Sequence, residues 1–258
     1  MGWIRRFYPA PDAPIRLVCF PHAGSSATFY YWMARTLAPD IEVLAVQYPG
    51  RQDRLLEPMI DRIDTMADLV MDVLPRWLDR PTALFGHSMG ATLAFEVARR
   101  LTAAGRSPTL LFASGRTAPS QPPEKHVHDM SDEWLLAELA QLDGTDDDVL
   151  ADAELVELLL PAVRNDYQAV ESYRFEPGPP LTCPLVALIG HNDPKVSLED
   201  GHLWGEHTTG DFTVETFPGG HFFLVDQPDT IMSLIRRSLR AAMTPRLLLQ
   251  QEFRSDLL

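Results

Sequence analysis

Short apolar runs of strand length recur along most of the chain, separated by stretches with helical patterning. The strand-like runs lie at residues 16–20, 42–46, 83–85, 109–115, 185–190 and 212–217. Between several of them, apolar residues repeat every three or four positions, as over residues 64–79. Strands that alternate with helices predict an α/β fold, with a mostly parallel sheet and helices on both faces.

This alternation is interrupted between residues 117 and 180. The interruption starts and ends in proline-rich sequence and contains two helical patterns with no strand between them, Ser131–Leu142 and about Ala153–Tyr173. We therefore expect a single domain over residues 1–258, with a helical insertion at 117–180. The last helix is predicted from about Pro228 to Met243, and the packing of the tail after Thr244 is left open.

Composition and charge restrict the class of protein. The 258 residues are 45% hydrophobic, and 22 basic against 36 acidic side chains give a formal charge of −14. That charge disfavours nucleic acid and anionic membranes as partners. No apolar run has transmembrane length and no signal-peptide core follows the first residues, so a cytoplasmic protein is expected. The two cysteines, Cys19 and Cys183, are expected to be buried thiols.

The strand at 83–85 leads into Gly86-His87-Ser88-Met89-Gly90 and then into an apolar helical run. Gly-x-Ser-x-Gly between a strand and a helix is the pattern of a nucleophile elbow, a turn that exposes the serine hydroxyl. The turn is so sharp that a Cβ at either glycine would clash with a neighbouring element. The alternative is an ordinary turn in which the serine caps the helix.

A serine hydroxyl needs a base, and the base needs an orienting group, before it becomes a good nucleophile. Asp193 and His221 each follow a predicted strand, at the sheet edge where parallel α/β folds bind ligands. The order Ser88, Asp193, His221 is that of an α/β-hydrolase. We predict Ser88 as nucleophile, His221 as base and Asp193 as orienting acid, with Asp211 and Asp226 as competing acids.

Other groups are assigned around this triad. The backbone N–H groups of Ala23 and Met89 are the candidate oxyanion donors. His87 is expected to pack or to form a hydrogen bond away from the nucleophile. The remaining histidines, His126, His128, His191, His202 and His207, are expected to face solvent. No spacing of histidine, cysteine and carboxylate residues indicates a metal site.

Five motifs together resemble the type II, or editing, thioesterases of polyketide and nonribosomal peptide synthesis, and also the medium-chain thioesterases of animal fatty acid synthase. They are Phe20-Pro21-His22-Ala23-Gly24, Tyr48-Pro49-Gly50-Arg51, Phe85-Gly86-His87-Ser88-Met89-Gly90, Asp193-Pro194 and Phe217-Pro218-Gly219-Gly220-His221-Phe222. Ser25 departs from the family, which often has a second glycine there.

The resemblance implies an α/β-hydrolase fold in which residues 117–180 form a helical lid. It also implies hydrolysis of acyl groups from the phosphopantetheine arm of an acyl or peptidyl carrier protein, through a Ser-His-Asp acyl-enzyme mechanism without a cofactor. A monomer is expected. Two alternatives remain: a small-ester carboxylesterase or lipase, and a carrier-binding protein without activity.

Substrate and carrier contacts are also predicted. Residues that flank the catalytic loops are expected to touch substrate: Phe29, Tyr30, Met89, Phe222 and Phe223. Residues of the insertion either line an acyl chamber or pack the lid: Trp134, Leu135, Leu139, Leu158, Leu159 and Tyr167. Because carrier proteins are usually acidic, Arg51 and Arg54 are candidates for docking, although Arg51 could instead anchor its own loop. Further basic candidates are Arg62, Arg99, Arg100, Arg236, Arg237 and Arg240.

Overall fold

Seven strands form one sheet in the order β1-β3-β2-β4-β5-β6-β7. The computed structural model describes residues 2–121, 127–142, 144, 148 and 151–255, and the side chains of 245–255 lie outside this description. The strands are β1 Ile4–Arg5, β2 Ile15–Phe20, β3 Ile41–Val46, β4 Thr82–His87, β5 Leu111–Ser114, β6 Leu185–Gly190 and β7 Phe212–Phe217. All pairings are parallel except that of β1 with β3, which confirms the predicted sheet. β1 was not predicted, because two residues carry no periodic pattern.

The register brings the carboxyl ends of the parallel strands to one edge. Phe20 of β2 pairs with Gly86 of β4, and His87 pairs with Ser114 at the end of β5. Gly190 of β6 pairs with Phe217, the last residue of β7. The loops that follow these strands therefore start side by side, and they carry the candidate catalytic residues.

Helices cover both faces of the sheet. They are α1 Tyr31–Leu37, α2 Ile63–Val73, α3 Met89–Ala103, α4 Asp132–Leu142, α5 Ala153–Ser172, α6 Leu198–His202, α7 Phe223–Asp226 and α8 Pro228–Ser255. Val18 and Phe20 of β2 pack in the core with α2 and α3, whereas Leu17 and Cys19 point to the opposite core with α1 and α8. This alternation explains why every residue of β2 is buried: each face of the strand is covered by helices.

The insert, as we call residues 117–180, lies between β5 and β6. Its helices α4 and α5 form where the sequence predicts them, and they share a small core of Val127, Leu135, Leu139, Leu160 and Val163. Asp152 caps α5 by accepting hydrogen bonds from the backbone N–H groups of Glu154 and Leu155. The insert is therefore a helical unit with its own apolar contacts, placed over one edge of the sheet.

The last helix differs from the prediction. It continues to Ser255, beyond the predicted end at Met243, and the proline at 245 does not terminate it. Both cysteines are buried thiols, as predicted. In the described part of the chain, no helix has the length and apolar character needed to span a bilayer.

Candidate active site

Ser88 occupies the turn between β4 and α3 with φ 53° and ψ −120°, a conformation that is strained for a residue other than glycine. The flanking glycines explain how the chain tolerates it. A Cβ on Gly86 would lie 2.1 Å from the carbonyl oxygen of Gly90, and a Cβ on Gly90 would lie 2.0 Å from that of Phe20. The turn is therefore compact enough to force Ser88 out of the sheet at the start of a helix.

His221 and Asp193 form a pair at the same edge of the sheet. Nδ1 of His221 lies 2.9 Å from Oδ2 and 3.0 Å from Oδ1 of Asp193. The backbone N–H of Lys195 donates to Oδ1 of the same carboxylate. Both partners are enclosed: the Asp193 side chain is fully buried and that of His221 is 3% exposed. Because the carboxylate only accepts, Nδ1 carries the proton and Nε2 is left as the basic nitrogen.

Two cavities meet at Ser88 and His221. The first has a volume of about 260 Å³, and its walls include Ala23 and apolar residues of the insert: Leu139, Leu142, Leu159, Val163 and Tyr167. The second, of about 200 Å³, has more polar walls that include Arg116, Glu138, Gln141 and Lys195. Ala23 borders both cavities, so the candidate oxyanion loop lies where they join.

Two further histidines stand in a row with His221. The ring centroids of His87 and His221 are 5.0 Å apart, and those of His22 and His87 are 5.9 Å apart. Burial, together with the charge that His221 can carry, lowers the pKa of His22 to about 3 and that of His87 well below its ordinary value. Both rings are therefore neutral near pH 7, so a positive charge formed on His221 meets no second charge in this row.

Residues 15–239 match the family model of the thioesterase domain. The chain belongs to the thioesterase family. Its structure resembles that of the type II thioesterase BorB from the borrelidin biosynthetic cluster, with 53% identity and a TM-score of 0.87 over 92% of this chain and 97% of that one. The family and this likeness show an α/β-hydrolase fold and an enzyme that hydrolyses thioesters.

Two curated relatives of this thioesterase come from Streptomyces. It is 48% identical to thioesterase PikA5 of Streptomyces venezuelae, over 87% of this chain and 81% of that protein. It is 46% identical to a probable cadicidin biosynthesis thioesterase of Streptomyces griseus, over 92% of this chain. The chain spans 66% of the length of the latter protein.

The residues predicted to touch substrate in this thioesterase fall into two groups: those that line a cavity or pack beside it, and those that are buried beneath the site. Phe222 lines the first cavity, and the ring of Phe29 packs edge-on against the ring of Phe222, with centroids 6.4 Å apart. Met89 lines the second cavity. Tyr30 and Phe223 correct the prediction, because both are fully buried. Tyr30 donates a hydrogen bond to the carbonyl of Phe20 and Phe223 stacks on Phe217, so each supports the fold beneath the site.

The insert supplies more of the site than the sequence indicated. Of the two roles that the sequence left open for these residues, Leu139, Leu159 and Tyr167 line the first cavity, while Leu135 is buried in the insert's own core and Leu158 is 61% exposed. Sequence reasoning missed three functional candidates: Leu142, Val163 and Asp166. A signal for Asp166 existed, since this acidic residue falls on the same helical stripe as the apolar positions 159 and 163.

The predicted docking arginines are not on the surface, which corrects that expectation. Arg51 is 6% and Arg54 5% exposed. Arg51 pairs with the buried carboxylate of Asp166, and Arg54 donates to the carbonyl of Gln47 and pairs with Glu57. Each guanidinium is therefore enclosed within this thioesterase and is not available to an approaching protein.

The other basic candidates are placed as follows. Arg99 and Arg100 both pair with Glu96 on their own helix, and Arg237 pairs with Glu215. Arg62 is exposed, at 62% of its side chain, and lies within 4.0 Å of Asp64. Arg62 therefore faces solvent near the start of α2, and Arg237 and Arg240 are also exposed.

The remaining histidines are placed as follows. His87 is fully buried, and its Nδ1 lies 3.0 Å from Oγ of Ser114, as predicted. His207 contradicts the prediction: it is 6% exposed, and its Nε2 lies 3.0 Å from Oγ of Ser120. His128 is partly buried and pairs with Glu171, also against the prediction.

His191 and His202 face solvent, and His126 lies outside the described residues. Within the described ranges, no three histidine, cysteine or carboxylate side chains converge in a way that would hold a metal ion.

Proposed function

We propose that this thioesterase removes acyl groups from the phosphopantetheine arm of an acyl or peptidyl carrier protein, as an external editing enzyme of polyketide or nonribosomal peptide synthesis. The observation that carries the proposal is that His221, paired with the buried carboxylate of Asp193, borders the same cavity as Ser88. The likeness to BorB, a type II thioesterase of a biosynthetic cluster, supports the class of substrate.

In the proposed reaction, Oγ of Ser88 attacks the thioester carbonyl while Nε2 of His221 takes the hydroxyl proton. The N–H groups of Ala23 and Met89 donate to the oxygen that becomes negative. The carbon–sulfur bond then breaks, and the proton on His221 passes to the departing thiolate. Water attacks the acyl-serine with His221 again as base, and a carboxylic acid and free Ser88 result. Asp193 holds the imidazole tautomer and stabilises its charged form.

The two cavities fit the two parts of such a substrate. An acyl chain is apolar and suits the first cavity, whose walls include Leu159, Val163 and Phe222. The pantetheine arm contains two amide groups and suits the second cavity, where Gln141 and Lys195 provide polar groups. Both parts then meet at Ser88, where the thioester carbonyl has to lie.

The test compares three acyl donors at matched concentration: an acyl carrier protein, an acyl-pantetheine thioester and a p-nitrophenyl ester of the same acid. We expect the carrier thioester to be hydrolysed with the highest kcat/KM, and Ser88→Ala to remove the activity without loss of fold. Preference for the simple ester would favour the carboxylesterase alternative. Failure of a fluorophosphonate probe to label Ser88 would favour a carrier-binding protein without activity.

A further inference from the structure

One buried carboxylate joins the insert to the candidate oxyanion loop, residues 22–25. Asp166 lies on α5 and its side chain is fully buried. Its Oδ2 accepts a hydrogen bond of 2.8 Å from the backbone N–H of Gly24. The same carboxylate also accepts hydrogen bonds from Nη1 and Nη2 of Arg51, at 2.6 Å and 2.9 Å. Nη1 of Arg51 also donates to the carbonyl of Ser25, so the loop is held at two consecutive residues.

The contact to Gly24 falls on the peptide unit that directly follows Ala23, and the contact to the Ser25 carbonyl falls two peptide units further along the loop. Gly24 has φ +75°, a left-handed conformation that turns the chain directly after the candidate donor. The other side of the loop is held by two tyrosines: Tyr48 donates to the carbonyl of Pro21, and Tyr30 donates to that of Phe20. The orientation of the Ala23 N–H is thus set by anchors on both sides, and Asp166 with Arg51 supplies the anchor on the far side.

Holding α5 in place does not by itself require an ion pair. Leu159 and Val163 of the same helix already pack closely over Gly24. Apolar contacts of this kind commonly stabilise a helix as well as a buried ion pair does, because burying two charges costs desolvation energy. A bidentate arginine and a charge-assisted bond to one backbone amide instead provide a defined direction. Burial would lower the pKa of Arg51, but the neighbouring Asp166 raises that pKa above its ordinary value, so the guanidinium stays charged.

We propose that Asp166 and Arg51 are positioning residues that hold the oxyanion loop so that the Ala23 N–H points at the reacting carbonyl. The inference rests on the proposed function, because it takes Ala23 as the oxyanion donor. An oxyanion donor acts only within about 2.7–3.1 Å of the developing charge, and a shift of about 1 Å in a catalytic group can cost about a hundredfold in rate. The insert therefore completes the catalytic geometry in addition to forming the cavity wall.

The test compares Asp166→Asn with a matched control, Glu42→Gln. Glu42 is also fully buried, pairs with two arginines, Arg6 and Arg16, and accepts a hydrogen bond from the backbone N–H of Ala10. It lies at the opposite end of its strand from the site, so its loss removes an equivalent ion pair without touching the loop. Each variant is assayed for kcat and KM on an acyl-pantetheine thioester. Inhibition constants are measured for an alkyl trifluoromethyl ketone, which forms an oxyanion with Ser88, and for a thioether analogue, which does not.

For Asp166→Asn we expect kcat to fall about tenfold to a hundredfold with KM changed less than about threefold. The inhibition constant of the trifluoromethyl ketone should rise in parallel, while that of the thioether stays the same. Glu42→Gln should lower thermal stability but leave all four kinetic values near those of the wild type. Equal affinity of Asp166→Asn and the wild type for the ketone would overturn the inference, as would a loss of kcat in Glu42→Gln of the same size.

Two measures keep this test decisive. Rates are divided by the concentration of reactive Ser88, which is determined by titration with a fluorophosphonate. The variant Arg51→Lys, which keeps the positive charge but loses the bidentate guanidinium, is measured alongside. If Asp166→Asn does not fold, the inference requires Arg51→Lys to raise the inhibition constant of the ketone and to leave that of the thioether unchanged. If the wild type fails on every thioester, the proposed function is wrong, yet the ketone and thioether constants, then measured as protection of Ser88 from fluorophosphonate labelling, still decide the role of Asp166 at Ser88.

Discussion

The carboxylate of Asp193 lies 2.9 Å from Nδ1 of His221, and no part of its side chain reaches solvent. A buried carboxylate that accepts the Nδ1 proton selects one imidazole tautomer and leaves Nε2 as the base. The competing acids Asp211 and Asp226, which the sequence alone left open, therefore give way to Asp193 as the partner of His221. This pair is the basis of the first prediction.

Asp193→Asn should lower kcat on an acyl thioester by about 10⁴, because an amide at this place can donate to Nδ1 and favours the wrong tautomer. KM should change little. The measurement is steady-state kinetics, with circular dichroism to show that the fold is kept. Asp226→Asn serves as the control and should retain wild-type kcat. A loss of kcat in Asp226→Asn that matches the loss in Asp193→Asn would show that the orienting acid has been assigned to the wrong residue.

Gly90→Ala should destabilise the protein by about 3 kcal/mol or more, because its Cβ would lie 2.0 Å from the backbone oxygen of Phe20 and neither element can move freely. Gly220→Ala is the matched control, since a Cβ there meets no atom within 4 Å. Its free energy of unfolding should stay within about 0.5 kcal/mol of wild type. Denaturant unfolding of both variants checks this, and equal stability of the two would refute the steric argument for the elbow.

Stability should fall as the pH is lowered below about 6.5, and His22 should account for part of the fall. Its pKa is about 3 in the folded protein, against an ordinary value near 6.5 in the unfolded chain. Between these values the unfolded state binds a proton that the folded state does not, so acid favours unfolding by up to about 1.4 kcal/mol per pH unit. Well above the pKa of His22 in the unfolded chain, His22 is neutral in both states and no longer changes the stability.

The measurement is denaturant unfolding of the wild type and of His22→Gln at pH 7, 6 and 5. We expect the wild type to lose more stability than the variant over this range, by about 2 kcal/mol. Other titrating groups, His87 among them, are common to both proteins and largely cancel in the difference. Parallel pH dependence of the two proteins would show that His22 protonates as readily in the folded state as in the unfolded one.

Leu159→Trp should shift the preference of the enzyme toward shorter acyl groups. Leu159 lines the cavity of about 260 Å³, and a larger side chain there takes up space that a long chain would fill. We expect kcat/KM for a long acyl-pantetheine to fall about tenfold or more, with the acetyl thioester affected much less. Leu158→Trp is the control, because Leu158, which is next to Leu159 on the same helix, is 61% exposed. A change in chain-length profile in Leu158→Trp instead would place the acyl chamber elsewhere.

Most of the core, and the placement of Ser88, Asp193 and His221 at one edge of the sheet, could be predicted from the chain alone. The reason is that the information is local: a buried strand is a short apolar run, and the elbow is five consecutive residues. Ser88 follows such a run directly, and Asp193 and His221 come within four residues of the end of one. In a parallel sheet the ends of strands share one edge, so three local patterns are enough to place three distant residues together.

Predictions that concerned single side chains beside these motifs were less successful. Arg51 and Arg54 were expected at the surface and Tyr30 and Phe223 at the substrate, yet all four are buried. Their motifs lie next to the site in sequence, but a side chain at such a position can point outward or inward. Which direction it takes depends on the elements packed above it, and those come from elsewhere in the chain.

The sequence by itself determined the alternation of strands and helices, the turn at Ser88 and the order of the candidate catalytic residues, because each depends on neighbours within a few positions. Only the tertiary structure decided that Asp166 pairs with Arg51, 115 positions away, and that Leu142, Leu159 and Val163 face Ser88. The physical reason is that a buried charge is stable only where a partner of opposite charge is brought to it. The folding of the insert over the sheet brings those partners together, and local sequence does not encode that encounter.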